Sequence, residues 1–368
     1  MRSLKMILLL LVPTFVFSQK TYTYRAPKPL QDGIEVASAK DQSVNVELLE
    51  KVVQKIKAND YVNVDALLII KDDQLILEEY FNDYTQDQLH TQRSISKSIT
   101  ALLAGVALDK GFLPSLDAKM MDYLPKYQSY RKPEHEKITL HHMLSMTTGI
   151  EWKESDVQYG TDENDETQMY KRKDWFPYVL SKPVVEEPGT KFEYNGGVAN
   201  LLAQVIKNAT NLSADEFADQ HLFTPLGIQE FKWNKSKHTG YVSAAAGVQM
   251  RPRDMAKLGL LYLNKGKWKG KQLISQQFME ATMRTQIEGQ QLGPFMVDYG
   301  YMGLVADPLI DAPGLKDSYV ASGNGGQIIW VMPHLDVAII MTGSNFNNEL
   351  GQSQPIEIVL QYIYPAVK

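Results

Sequence analysis

The chain is expected to fold as an α+β protein. One antiparallel sheet is assembled from both ends of the chain and flanked by terminal helices, with an all-helical section between. Three observations predict this. Strand-like apolar runs occur early, at 66–70 and 75–80, and again late, at 299–306, 327–332 and 337–342. From about residue 94 to 234 the signals are helical or loop. Helical stretches at 45–58 and 356–364 flank the two groups of strands, so the simplest assembly is a single sheet covered by the terminal helices.

Taken in order, residues 1–18 stand apart. Arg2 and Lys5 precede an apolar run from Met6 to Phe17, and Ser18 is small. That is the pattern of a secretory signal peptide, too short for a comfortable membrane span, and it predicts a periplasmic or secreted protein with no stable span after cleavage. A retained anchor is the alternative. The chain has no Cys, which removes disulfides and suits an oxidising compartment. Residues 19–44, with Pro27 and Pro29, read as a loose arm. Val46, Leu49, Val52, Val53 and Ile56 fall at helical spacing. Lys71-Asp72-Asp73 joins the first two strand runs as a hairpin. The domains expected are 45–93 together with 235–368, carrying the sheet, and 94–234, the helical part.

The helical part opens at Ser94. From Ile99 to Leu108 the chain is almost wholly apolar, too long for a typical strand, so a buried helix is predicted that ends near Gly111. Further helices are expected at 138–146, 175–180, 198–208 and 214–222. Residues 153–174, rich in Asp, Glu, Thr and Tyr, read as a long loop, a feature that is often functional. Pro188-Gly189-Thr190 is a turn feeding a strand-like stretch, 191–194. A helix at 255–264 and a hairpin at Pro333–Asp336 complete the pattern. No internal repeat is present.

The full chain has 368 residues and a net charge of −5; without residues 1–18 it has 36 basic and 43 acidic residues, a net −7. No Lys/Arg cluster interleaved with aromatics occurs, so nucleic-acid binding is excluded as a function class. The partner expected is a small molecule.

The chemistry-bearing stretch is Ser94-Ile95-Ser96-Lys97. Residues three apart on a helix share a face, so Lys97 lies one turn above Ser94. A serine hydroxyl is a poor nucleophile until a neighbour takes its proton, and a helix N-terminus offers N–H groups to an oxyanion. No G-x-S-x-G elbow and no H-E-x-x-H occur, and His141-His142 are adjacent, so their side chains diverge on a helix. None of the seven histidines stands in a recognisable setting. Tyr194, before Asn195-Gly196-Gly197, is a candidate base. Its ordinary pKa of about 10 has to fall for that role, and the Lys97 ammonium would lower it. Gly323-Asn324-Gly325-Gly326-Gln327 opens a strand with glycines that let a ligand approach the backbone. An alternative for each is plain structure: a buried tyrosine with a bonded hydroxyl, and a glycine-rich hairpin bend.

These residues, in this order, resemble the serine β-lactamase and penicillin-binding protein superfamily, in particular its class C-like branch with esterases and 6-aminohexanoate-dimer hydrolases. The likeness rests on Ser94-Ile95-Ser96-Lys97, Tyr194-Asn195-Gly196 and Asn324-Gly325-Gly326. It extends to 139–149, 187–194 and 246–256 and spans roughly 45–365. It implies a β-lactamase/transpeptidase-like fold, an α/β sandwich plus a helical domain with the active site in the cleft between. It also implies that Ser94 is the nucleophile of a covalent acyl-enzyme, Lys97 its proton partner and Tyr194 the general base. The N–H groups of Ser94 and Gln327 would form the oxyanion hole, and Asn195, Asn324, Gly325 and Gly326 would meet substrate. No cofactor and no metal are implied. Two departures matter. Gly196 stands where the family often has Asn, and Asn324 replaces the cationic Lys of K-T-G, which favours neutral or less acidic esters and small amides. Trp152, Tyr159, Tyr170 and Trp175 are expected to wall the leaving-group side. The alternatives on the same scaffold are a non-catalytic binding or sensor protein and a D,D-peptidase.

Overall fold

In a computed structural model, the residues described are 21–292, 295–305, 315 and 318–368. The expected signal peptide lies outside them. Among the described residues no helix is long and apolar enough to cross a membrane.

The chain begins with strand β1 (Glu35–Val36), helix α1 (Val46–Lys57), and the hairpin β2 (Val64–Lys71) and β3 (Gln74–Tyr80). Asp72 and Asp73 both have positive φ, 50° and 62°, as a tight two-residue hairpin turn requires. Short strand β4 (His90–Thr91) leads into α2 (Ile95–Asp109). The helices α3 (Leu140–Leu144), α4 (Asp165–Tyr170), α5 (Phe176–Ser181), α6 (Gly196–Thr210) and α7 (Ala214–Ala218) follow. Strands β5 (Phe231–Trp233) and β6 (Val248–Met250) then pair with β4 in a small sheet. Helix α8 (Pro252–Leu263), the ribbon β7 (Lys267–Trp268) and β8 (Lys271–Gln272), and α9 (Gln276–Met283) come next. The late strands are β9 (Ile287–Leu292), β10 (Phe295–Tyr299), β11 (Leu304–Val305), β12 (Tyr319–Gly323), β13 (Gln327–Met332) and β14 (Val337–Gly343). Helices α10 (Glu349–Ile358) and α11 (Tyr364–Val367) end the chain.

Among the described residues, nine strands form one sheet in the order β1-β3-β2-β14-β13-β12-β11-β10-β9. Every pairing is antiparallel except β1 with β3. The central pair, β2 with β14, joins the two ends of the sequence. Ala66, Leu68 and Ile70 face the core that contains α2, α6 and α8, whereas Leu67 and Ile69 face the core under α1 and the C-terminal helices. Both faces of the sheet are covered, which is why these strands read as continuous apolar runs rather than alternating ones. Helix α2 is buried from Ile95 to Ala107, on every side, as its nearly unbroken apolar sequence requires.

Several expectations are corrected. The segment from 21 to 43 is no loose arm: Tyr24 is buried with its hydroxyl donating to the Ile76 carbonyl, and β1 adds an edge strand. Two-residue pairing leaves too short a pattern to read. The run 299–306 is not one strand but the end of β10, a turn and β11; Tyr301 and Met302 in the turn are buried and so read as strand. Strands β9 and β12 were not foreseen. The 153–174 stretch contains α4, whose N-cap is Asn164, accepting from Thr167 N at 2.9 Å. The strand expected at 191–194 pairs with no sheet; Glu193 N donates to Met146 O at 2.8 Å and the stretch is otherwise irregular.

Arg253, at the start of α8, ties the N-terminal segment to the sheet. Its guanidinium meets Asp32 at 2.6 Å and Glu78 at 2.7 Å, and its side chain is 5% exposed. Removing one partner of such a pair strands the others without compensation. Arg253→Ala is therefore expected to lower stability by about 3 kcal/mol, read as a shift in the urea unfolding midpoint.

Candidate active site

Ser94 is the residue before α2, with φ −65° and ψ −12°. Arg93 turns the chain from β4 into the helix with φ 48°, a left-handed conformation that costs a residue with a Cβ about 1–2 kcal/mol. The kink is pinned on both sides to β6. Gln92 N donates to Val248 O at 2.8 Å, and Val248 N donates to Ser96 Oγ at 3.0 Å. Among the described residues, Ser94 N donates to no backbone carbonyl, leaving it as one of the unpaired donors of a helix start.

Lys97 is 1% exposed. Its ammonium donates to Ser94 Oγ at 3.2 Å and to the Ala245 carbonyl at 3.0 Å. It stands 4.7 Å from the centre of the Tyr194 ring and 3.7 Å from Glu154 Oε1. The Ala245 carbonyl is held by α6: Asn200 Oδ1 accepts from Ala244 N and Ala245 N at 2.7 and 3.2 Å. Burial works to lower the Lys97 pKa, but Tyr194, Glu154 and Glu166 outweigh it, and the net shift is upward. Lys97 therefore rests as an ammonium.

Tyr194 interacts with both Ser94 and Lys97. The three groups thus converge from two distant stretches of sequence. The expected direction of the tyrosine shift is corrected, however. Burial pushes the Tyr194 pKa up, and Lys97, though it lowers it, does not reverse this, with Glu154 adding to the rise. The phenol keeps its proton at rest.

Two buried acids missed in the sequence complete the pocket. Glu154 is fully buried and meets a set of donors: Trp152 Nε1 and Gly196 N, both at 2.7 Å to Oε2, and Tyr159 at 3.2 Å to Oε1, besides Lys97. Glu166, on α4, is 8% exposed and its Oε1 has no hydrogen-bond partner among the described residues. Burial first, and then the Glu154 charge, push its pKa up to about 8, against the pull of Lys97 and Arg93. Both acids lie in the acid-rich stretch noted above, but nothing in the sequence singles them out from the exposed acids around them.

The glycine segment forms the tight connection between β12 and β13. Gly325 and Gly326 have φ 100° and 97°, and a Cβ on Gly325 would lie 2.6 Å from the Phe346 ring. The Gln327 side chain latches β13 to Gly343. The side chains of Asn324 and Asn347 are locked together: Asn324 donates to Asn347 Oδ1 at 2.7 Å and accepts from Asn347 N at 2.9 Å. The Arg93 guanidinium stacks 4.8 Å over Phe346 beside this turn. Asn195 is 1% exposed and caps α6, accepting from Val198 N at 2.9 Å. That placement makes it a helix cap and leaves it almost no surface for substrate. Trp152 and Trp175 are core residues, 2% and 5% exposed, rather than cleft walls. His141 and His142 are engaged structurally, with Tyr301 and with the N-cap of α3.

A family model described as Beta-lactamase matches residues 49–362. The 6-aminohexanoate-dimer hydrolase of Paenarthrobacter ureafaciens is 23% identical over 292 residues, covering 76% of this chain and 72% of that protein. Among solved structures, EstCE1, a hydrolase with promiscuous acyltransferase activity, superposes with a TM-score of 0.68 at 16% identity, covering 87% of this chain and 98% of its own. A family VIII carboxylesterase gives 0.66 at 15% identity, covering 85% and 95%.

A Cβ on Gly196 would lie 2.8 Å from Glu166 Oε1 and 2.9 Å from Glu154 Oε2. Gly196→Ala is therefore expected to force the pair apart and to cost about 1–3 kcal/mol of stability, read as a lower melting temperature.

Proposed function

The chain belongs to the beta-lactamase family of hydrolases, and on that premise we propose that it is a serine hydrolase acting through a covalent acyl-enzyme on an ester or small amide. The observation that carries the reading is the contact of Ser94 Oγ with the buried Lys97 ammonium at 3.2 Å, beside Tyr194.

In this reading Ser94 Oγ attacks the acyl carbon and its proton is relayed through the Lys97–Tyr194 pair toward the leaving group. The N–H groups of Ser94 and Gln327 stabilise the oxyanion. The unpaired Ser94 N–H supports the first assignment, and the position of Gln327 at the start of β13, after two glycines, supports the second. One such donor is worth roughly 3–4 kcal/mol of barrier. The phenol of Tyr194, protonated at rest, is suited to deliver a proton to the leaving group. Water then attacks the acyl-enzyme along the same route. Asn324, spent on Asn347, supplies no cation, which favours esters and small amides over substrates selected by a carboxylate. The Arg2, Lys5 and Met6–Phe17 pattern supports a periplasmic or secreted setting for this chemistry.

Ser94→Ala is expected to reduce hydrolysis of a 4-nitrophenyl ester to the uncatalysed background while circular dichroism stays native. A fluorophosphonate is expected to label the peptide that contains Ser94. Tyr194→Phe is expected to lower kcat by roughly 100-fold or more with little change in KM. Full turnover by the Ser94 variant would rule the reading out.

A further inference from the structure

Two buried acids stand behind Lys97 that the reading above does not use. Glu154 is buried, meets donors from Trp152, Tyr159 and Gly196, and reaches Ser94 through Lys97, whose Nζ lies 3.2 Å from Ser94 Oγ and 3.7 Å from Glu154 Oε1. Glu166 closes on the same point. Both carboxylates crowd the space where a side chain at position 196 would begin, and that position is glycine. Glu166 Oε1 lies buried there without a hydrogen-bond partner among the described residues.

We propose that Glu154 and Glu166 are positioning residues that act through Lys97: Glu154 as the buried partner that holds Lys97 against Ser94 Oγ, and Glu166 as the neighbour whose own proton keeps a second negative charge out of the pocket. This rests on the serine-hydrolase reading above and deepens it.

As the Oγ–acyl bond forms and the bond to the leaving group breaks, the leaving atom takes the Tyr194 proton, Tyr194 takes one from Lys97, and Lys97 takes the Ser94 proton. The net result is transfer of one proton from Ser94 to the leaving group, with Lys97 and Tyr194 restored and Glu154 holding Lys97 in line throughout.

The groups facing the pair come from every element around it. Lys97 lies on α2 and Arg93 just before it; Tyr159 belongs to the loop that carries Glu154; Tyr170 lies on α4; Tyr194 and Glu193 precede α6. Of these, Lys97 and Arg93 are the cations that favour loss of the Glu166 proton, against burial and the Glu154 charge. Ionisation of Glu166 as pH rises places a second negative charge beside Glu154 and near Lys97 while negative charge develops on Ser94, so activity falls above about pH 8.

The test compares wild type, Ser94→Ala, Glu154→Gln and Glu166→Gln by 4-nitrophenyl acetate hydrolysis and by the rate of fluorophosphonate labelling between pH 5 and 10. Glu154→Gln is expected to lower kcat and the labelling rate at least tenfold at every pH, with KM within threefold. Glu166→Gln is expected to abolish the wild-type inflection near pH 8. Unfolding provides a second measurement. Native Glu166 holds a proton that the unfolded chain releases above about pH 4.5, so wild type is expected to lose stability from pH 5 to 8 relative to Glu166→Gln. Wild-type rates and pH profiles in both glutamine variants, with Ser94→Ala inactive, would overturn the role of the pair alone. An active Ser94→Ala would overturn the serine-hydrolase reading beneath it. If Glu154→Gln does not fold, the pH profile and stability slope of Glu166→Gln still decide the matter, and a retained inflection counts against the proposal.

Discussion

A lysine ammonium held out of water is the constraint around which the pocket is built. An isolated buried charge is costly by several kcal/mol, and only a complete set of partners makes it tolerable. Lys97 has that set: the Ala245 carbonyl, the Ser94 hydroxyl, the Glu154 carboxylate and the face of the Tyr194 ring. Each partner is fixed by a different part of the chain. Asn200 on α6 holds the Ala245 segment. Trp152 and Gly196 hold Glu154. The strained backbone at Arg93 presents Ser94. The same charge that organises these groups also shapes their reactivity, because it favours the ammonium without being strong enough to ionise a buried phenol.

The frame beneath this pocket is ordinary packing turned to a chemical end. Helix α2 is buried on every side and sits in the core between the sheet and the helices that follow it. Its N-terminal turn therefore emerges at a fixed position, and β6 pins it through Gln92 and Ser96. The β12–β13 connection approaches from the sheet, where left-handed glycines bring the backbone close to Phe346. A rigid helix start thus meets a backbone turn that carries no bulky side chain, an arrangement suited to a reacting carbonyl.

Much of this was legible in the residues. The run after Ser94 could only be a buried helix, and its Lys97 had to lie one turn from the hydroxyl. The apolar runs at 66–70 and 337–342 marked the central strands of a sheet covered on both faces. What escaped notice was short or local in its pattern: the two-residue β1, the capped α4 within an acid-rich stretch, and the turn at Tyr301 and Met302 that buries apolar side chains without being a strand. Asn195 resembled a substrate contact because of its place beside Tyr194, yet its carbonyl oxygen is the cap of α6.

Periodicity and motif order determined the sheet built from both ends, the helix that carries Ser94 and Lys97, and the candidacy of Tyr194, because those properties follow from neighbours in the chain. The tertiary structure alone decided which acids of the 153–174 stretch are buried, which way the Tyr194 proton equilibrium moves, and what fills the space left by Gly196. Those depend on desolvation and on charges brought within a few ångströms from remote positions, and such distances are set by packing rather than by sequence spacing.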